Sequence, residues 1–223
     1  MKRALDLAVA VPALLVATPI VAALALAVKI SSRGPAFFLQ IRIGRGRQPF
    51  TLAKLRTMVV GAEQRGAHVT AKSDPRITPL GALLRATKAD ELPQLLSVLV
   101  GDMSLVGPRP EAGRYVAKYR PEWEGVFAVK PGITDLASIV FRNEEELLDR
   151  ALDRERAYVE AILPIKLRLA LEGIERSTLG YEFGILARTI ATVCCPASIA
   201  KHPALDEARR AIEALNRRVM EAS

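Results

Sequence analysis

Between Ala4 and Val28 the chain carries an apolar run, LDLAVAVPALLVATPIVAALALAV after the alanine, interrupted only by Asp6, Pro12, Thr18 and Pro19. A helix that crosses a bilayer needs about 20 apolar residues, and this run exceeds that. The flanks argue against a simple crossing. Lys2 and Arg3 precede the run and Lys29 and Arg33 follow it, and basic flanks tend to stay on the cytoplasmic side. Pro19 removes a backbone donor, frees the Leu15 carbonyl and kinks a helix, and the neighbouring Thr18 hydroxyl is placed to satisfy part of the exposed backbone. Residues 1–33 therefore read as a re-entrant helix-break-helix hairpin, broken at Thr18 and Pro19, that enters one leaflet and returns. A plain spanning anchor is the alternative. A cleaved signal peptide is another, with Ala25-Leu26-Ala27 as its cleavage site, but its apolar core is usually only about 7 to 15 residues long.

The remainder is basic. A formal charge of +8 over 223 residues implies an anionic partner: nucleic acid, anionic lipid or a phosphorylated substrate. Charge alone does not choose among them. Cys194 and Cys195 are adjacent and have no partner at metal-ligand spacing, which excludes a disulfide framework or zinc site as the organising feature. His68 and His202 each stand alone, as surface or core histidines usually do.

Chemistry concentrates in residues 84–111, LRATKADELPQLLSVLVGDMSLVGPRPE. Here Asp90 and Glu91 lie between Arg85 and Lys88 on one side and the turn Gly107-Pro108-Arg109-Pro110 on the other. Proline is tolerated in the first helical turn, so Pro93 predicts a helix that starts near Asp90, runs to about Val100 and holds both carboxylates at its positive end. Cations around them should keep both ionised at neutral pH, as a nucleophile or a metal ligand requires. The Pro-Arg-Pro turn fixes the guanidinium of Arg109, and a fixed fork suits phosphate. An acid pair of this kind is also common as solvated surface.

Upstream, Gly34-Pro35 ends the apolar segment, and Phe37-Phe38-Leu39 reads as a first strand or an interfacial shelf. Arg42, Arg45, Arg47, Lys54 and Arg56 follow, either as a surface for phosphates or lipid headgroups or as a solvated basic face. Gly44 and Gly46 lack the spacing and flanking elements of a dinucleotide loop. Asp74-Pro75-Arg76 is a turn, and residues 61–73 form a polar loop or short helix.

In the C-terminal third, residues 144–162 and 165–174 have helical patterning, with Pro164 ending or kinking the helix between them. Residues 181–193 are apolar enough for a membrane interface, with Arg188 reaching headgroups and Ile185, Ile190 and Val193 facing inward, or for an ordinary core helix. Cys194 and Cys195 read as small apolar residues. Leu205, Ala208, Ile212, Leu215 and Val219 form one stripe that packs on the body or on a second copy of the chain, the route to a homodimer.

Together these blocks resemble the monotopic phosphoglycosyl transferases, the bacterial sugar transferases that begin lipid-linked glycan assembly. The resemblance rests on the apolar segment with its internal proline, Gly34-Pro35 with Phe37-Phe38 and Gln40, and Arg42 with Gly44. It continues through Lys54-Leu55-Arg56-Thr57-Met58, Asp74-Pro75-Arg76-Ile77-Thr78, Leu84-Arg85 and Asp90-Glu91-Leu92-Pro93-Gln94-Leu95. It ends with residues 101–110 (GDMSLVGPRP) and Pro131-Gly132-Ile133-Thr134.

The fold this implies is mostly α with a small β element. The re-entrant hairpin is followed by a compact cytoplasmic catalytic domain, residues 34–200, with interfacial amphipathic helices, and by a C-terminal amphipathic helix, residues 201–223. The implied reaction moves a sugar-1-phosphate from a UDP-sugar to polyprenyl phosphate, with UMP leaving, at the cytoplasmic face of the bacterial inner membrane. By the resemblance Asp90 is the covalent nucleophile and Glu91 binds Mg²⁺. Arg85, Arg109 and Arg142 are then candidates for gripping phosphates, and Lys54 and Arg56 for substrate or headgroup contact. The implied partners are the UDP-sugar donor, the polyprenyl phosphate acceptor and anionic lipids of the inner leaflet, and not nucleic acid.

Two departures stand out. Arg47 occupies the place of the family's second glycine in the basic run. Asp135-Leu136-Ala137-Ser138 stands where many members have Gly-Trp-Ala-Gln, so the sugar does not transfer from relatives. Rival readings are a membrane-tethered basic adaptor without catalysis, which leaves Asp90 and Glu91 without a purpose, and direct transfer in a ternary complex.

Overall fold

A computed structural model of the chain describes residues 2–66, 69–194 and 202–221. His68, Cys195 and the boundary expected at residues 200 and 201 lie outside the described residues. The architecture of the described residues is mostly helical, with two small two-stranded sheets among them.

Helix α1, Lys2–Ser31, is continuous through Pro12 and Pro19, so the expected division into two helices at Pro19 is not present. The Thr18 hydroxyl donates to the Leu14 carbonyl at 2.7 Å, not to the Leu15 carbonyl that proline leaves without its usual donor. Among the described residues α1 is the one helix long and apolar enough to cross a membrane. Its first turn is tied down. Lys2 Nζ donates to the Val106 carbonyl at 3.0 Å and pairs with Glu182 at 2.5 Å, and Arg3 donates to the carbonyls of Val98 and Leu99. The buried Asp6 carboxylate accepts from Ser104 Oγ and Leu105 N, both at 2.9 Å. At the other end Val28 packs with Leu55 and Leu84. Between these moorings Leu15, Val16, Ile20 and Leu26 are exposed.

Strands β1 (Phe37–Ile43) and β2 (Pro49–Leu55) form an antiparallel hairpin in which Phe38 faces Lys54 and Arg42 faces Phe50. Side chains alternate across a strand, so Phe37, Leu39 and Ile41 stand exposed while Gln40, Arg42 and Lys54 turn toward the body. Arg47, at the hairpin tip, is in the left-handed region with φ +61°, a conformation that favours glycine. Its guanidinium pairs with Glu124 and lies 4.9 Å above the Phe127 ring, contacts that offset the backbone cost.

Helix α2 (Pro79–Thr87) begins as its sequence requires, with Pro79 in the first turn and the Thr78 hydroxyl accepting from Gly81 N. A 3₁₀ turn, Ala89–Gln94, then runs into α3, Leu95–Val100. Strands β3 (Ser104–Val106) and β4 (Gly132–Thr134) pair in parallel, with α4 (Gly113–Val116) and a 3₁₀ segment, Pro121–Ala128, between them in the chain. Helices α5 (Leu136–Val140), α6 (Glu144–Leu148) and α7 (Arg154–Ala157) follow, and α7 passes through a π turn, Tyr158–Ile162, into α8, Leu163–Glu175. Pro164 does not end this helix. Lacking an N–H, it stands where the wide turn returns to α geometry.

Helices α9 (Leu179–Cys194) and α10 (Pro203–Glu221) complete the chain. On α9 Ile185 is buried in a cluster with Ala10, Met103 and Leu105, whereas Phe183, Ile190 and Val193 are exposed. The expected grouping of Ile185 with Ile190 and Val193 therefore divides between core and surface. Ala208, Ile212 and Leu215 of α10 join the main core around Trp123, Leu148 and Ile162, so the stripe packs on the body of its own chain.

Candidate active site

Lys88, at φ +58°, donates its N–H to the carbonyls of Leu84 and Arg85, which ends α2, and begins the next turn. Asp90 and Glu91 thus fall in the first turn of the helical segment that Pro93 predicted, although its first six residues are 3₁₀ and α geometry starts only at Leu95. The Gly107-Arg109 turn is brought opposite by the two short strands. Gly107 N donates to the Thr134 carbonyl at 3.0 Å and Gly132 N to the Pro108 carbonyl at 2.9 Å. The backbones meet so closely that a Cβ on Gly132 would lie 2.1 Å from Gly107 N.

The two carboxylates have different surroundings. Glu91 receives a bidentate Arg109 guanidinium, Nη1 to Oε2 at 3.1 Å and Nη2 to Oε1, and Lys54 Nζ at 3.1 Å. Burial alone would raise the Glu91 pKa, but Arg109 and Lys54 outweigh it and hold the group well below the usual carboxylate range. Asp90 is 6% exposed, and its Oδ1 is buried with no hydrogen-bond partner. Burial, and then the neighbouring Glu91 charge, push its pKa up, against the pull of Lys54, Lys88 and Arg85. At Asp90 the cations pull toward ionisation as expected, but burial and the Glu91 charge outweigh them, so its pKa lies above the ordinary value.

Arg85 also has partners of its own. Its Nε donates to Glu145 Oε1 at 3.1 Å and its Nη1 to Thr57 Oγ1 at 3.3 Å. Arg142 donates to the Ala86 carbonyl at 3.2 Å. Partial burial of Lys54 lowers its pKa despite the attraction of Glu91. Asp90, Glu91, Arg85, Arg109, Arg142 and Lys54 all line one cavity of about 780 Å³. Arg56 reaches its wall but spends its guanidinium on the Ser32 and Arg33 carbonyls and the Ser32 hydroxyl, at 2.8 to 2.9 Å. It ties β2 to the end of α1.

Sequence reasoning missed a buried polar network behind Arg109. Tyr158 OH donates to Glu111 Oε1 at 2.5 Å, Arg42 reaches Glu111 Oε2 at 3.4 Å, and Lys166 Nζ donates to Glu144 at 2.9 Å. Burial, then the Glu111 and Glu144 charges, push the Tyr158 hydroxyl pKa well up. Glu111 is also held through its backbone, since its carbonyl accepts from Ile43 N at 3.0 Å. Clamped on both sides, it anchors the turn that carries Arg109. The only signal in the sequence is its place directly after Pro110, because Tyr158 and Lys166 arrive from far along the chain by way of the π turn.

One carboxylate free of partners, a second neutralised by a guanidinium and an ammonium, and a large cation-lined cavity beside a bilayer-length apolar helix together suit phosphate-ester chemistry at a membrane. That places the molecule in the class of membrane-associated phosphotransfer enzymes. The chain belongs to the bacterial sugar transferase family, whose model matches residues 1–195. It is 44% identical to a Bacillus subtilis protein provisionally named an undecaprenyl-phosphate N-acetylgalactosaminyl 1-phosphate transferase, over 56% of this chain and 69% of that one. It is 41% identical to the Escherichia coli UDP-glucose:undecaprenyl-phosphate glucose-1-phosphate transferase over 73% of this chain and 36% of the relative. The corresponding enzyme of Caulobacter vibrioides is 43% identical over 62% and 53%. The chain thus spans only part of these longer glucose-1-phosphate transferases.

Proposed function

We propose that the protein transfers a sugar-1-phosphate from a UDP-sugar to undecaprenyl or another polyprenyl phosphate through an aspartyl intermediate, as a first membrane step of bacterial glycan assembly. The observation that carries this reading is the unpartnered, buried Oδ1 of Asp90 beside the neutralised Glu91. A nucleophile must be left free to attack, and Glu91 and its cations supply the field around it. In the first step an Asp90 oxygen bonds to the sugar-bearing phosphorus while the P–O bond to the uridine phosphate breaks, and the electron pair leaves on UMP. In the second, an oxygen of polyprenyl phosphate attacks the same phosphorus and the carboxylate is regenerated. The acceptor is already ionised at neutral pH, so Glu91 is not required as its base.

Arg109 and Lys54, now paired with Glu91 beside Asp90, would neutralise the nonbridging phosphate oxygens in both steps. Arg85 and Arg142 serve the nucleotide phosphate once they exchange their present partners. Among the described residues no group of three or more acidic, histidine or cysteine side chains converges. Two adjacent carboxylates still fit Mg²⁺, which commonly takes one or two carboxylates and fills its shell with water and substrate phosphate. Glu91 would hold it on exchanging the Arg109 and Lys54 contacts that now occupy both its oxygens, with Asp90 adjacent. When bound, the ion supplies further charge neutralisation at the phosphates.

Both ends of α1 are moored to the same body, which supports a membrane-inserted helix with both ends on one side, and the basic flanks favour the cytoplasmic side of the inner membrane, among anionic lipids, for that body and its cavity. The test is UMP release from a panel of UDP-sugars with polyprenyl phosphate and Mg²⁺, joined to intact mass spectrometry with donor alone. Wild type should release UMP and gain one phosphosugar mass, and Asp90→Asn should do neither. Transfer without any adduct would favour a ternary complex, and normal turnover by Asp90→Asn would overturn the assignment.

A further inference from the structure

Ser138 Oγ is buried and makes no well-formed hydrogen bond, although its hydroxyl lies near the Asp135 carboxylate and helps to lower that group's pKa, and Ser138 lines the same cavity as Asp90. Its own N–H is used on Asp135 Oδ1 at 2.7 Å, which caps α5. An unpaired buried hydroxyl is costly, and it makes sense where a ligand completes it. The same wall carries Thr134, Thr189 and Thr192. Thr189 spends its one proton on the Ile185 carbonyl at 2.8 Å. In the 2.8 Å contact between Thr134 Oγ1 and Thr189 Oγ1, Thr134 must therefore be the donor. Thr192 likewise donates to the Arg188 carbonyl at 2.6 Å. With their protons committed, these three oxygens offer a ligand only lone pairs, whereas Ser138 offers lone pairs and a proton that a ligand would draw from the nearby Asp135 carboxylate.

Position supports a ligand joined to the reacting phosphate. Thr134 pairs with Val106 across the parallel strands, and its carbonyl holds Gly107 N, so this wall adjoins the turn that carries Arg109. A polyprenyl tail would leave the Ser138 hydroxyl unpaired, whereas a hexose brings hydroxyl or amide protons to acceptor oxygens. We infer that Thr134, Ser138, Thr189 and Thr192 form the subsite that reads the sugar of the donor, through ring hydroxyls or an acetamido N–H. This inference rests on the transferase reading above and extends it to specificity.

The test measures binding of the preferred UDP-sugar and of UMP by calorimetry, together with UMP release across donors, for wild type, Ser138→Ala and Thr134→Val. Ser138→Ala should weaken UDP-sugar binding about three- to tenfold, the worth of one neutral hydrogen bond, while leaving UMP binding unchanged. It should also compress the ranking among donors. A deoxy analogue of the sugar lacking the group that Ser138 contacts should bind both proteins equally. Equal loss for UMP and UDP-sugar, an unchanged donor ranking, or an effect confined to the acceptor KM would each overturn the subsite while leaving the transferase reading intact. Failure of wild type to release UMP from any donor would overturn the transferase reading, and the subsite with it.

Discussion

Asp90 carries opposing demands. As the proposed nucleophile, its carboxylate must be ionised to attack phosphorus, yet burial and Glu91 raise its pKa from the ordinary value. The acidic limb of kcat/KM should therefore lie above the usual carboxylate pKa of about 4. Glu91 is the second cause of that rise, so Glu91→Gln should move the limb to lower pH even as it reduces the maximal rate, a shift that a pH-rate profile reads directly. An unmoved limb would show that Glu91 does not act on Asp90. Stability should run the other way. A carboxyl whose folded pKa is raised costs stability once pH climbs above its unfolded pKa, and increasingly through the folded one. Asp90→Asn should raise Tm near neutral pH, by an amount that disappears near pH 4 where the unfolded carboxyl is itself protonated, about 4 by its ordinary pKa. The acid pair and Arg109 were legible from residue types and spacing. The direction of the Asp90 shift was not, because it depends first on how deeply the fold buries the carboxyl, which no local pattern reveals.

At the scale of elements, the site depends on two strands of three residues each, too short for any periodicity to announce. Nor could the π turn that delivers Tyr158 be read from its apolar spacing, which suits an ordinary helix. The helical start near Asp90 was legible because proline acts locally there, and the strand after Gly34-Pro35 stood as one of two readings, but α2 and its Thr78 cap were not read from the sequence. What joins β3 to β4 is a backbone crossing at Gly107 and Gly132. A methyl group on Gly132 would meet backbone atoms of Gly107 at 2.1 to 2.6 Å, and no side-chain rotation relieves that. Gly132→Ala should destabilise the protein by about 1–3 kcal/mol, the usual cost of overpacking, and should lower activity further by displacing Arg109. Gly184→Ala, where a Cβ meets open space, is the control and should leave Tm unchanged or raised. Equal Tm values for the two variants would show that the crossing does not hold the turn.

For the whole molecule the decisive question is which way α1 leaves the body. A straight helix of 30 residues is about 45 Å long, against a hydrocarbon core of about 30 Å, so length permits a crossing. The contacts oppose one. Lys2, Arg3 and Asp6 are bound around Val98 to Val106, and Val28 packs on Leu55 and Leu84; a helix that crossed would carry one of these ends a bilayer's thickness from the body. Basic flanks lead to the same conclusion by a separate route, although Lys2 and Arg3 prove to be engaged with protein partners as well. The prediction is that single cysteines at the exposed positions 4 and 33, in a background where Cys194 and Cys195 are serine, react with an impermeant maleimide from the same side. In intact spheroplasts neither should label, and in inverted vesicles both should. Labelling of one site in spheroplasts and the other in inverted vesicles would mean that α1 spans the bilayer and that its mooring contacts do not persist in the membrane. Replacing Asp6 with Asn should weaken the mooring without altering bulk hydropathy much. If the mooring sets the topology, that variant alone should begin to show mixed labelling at position 4.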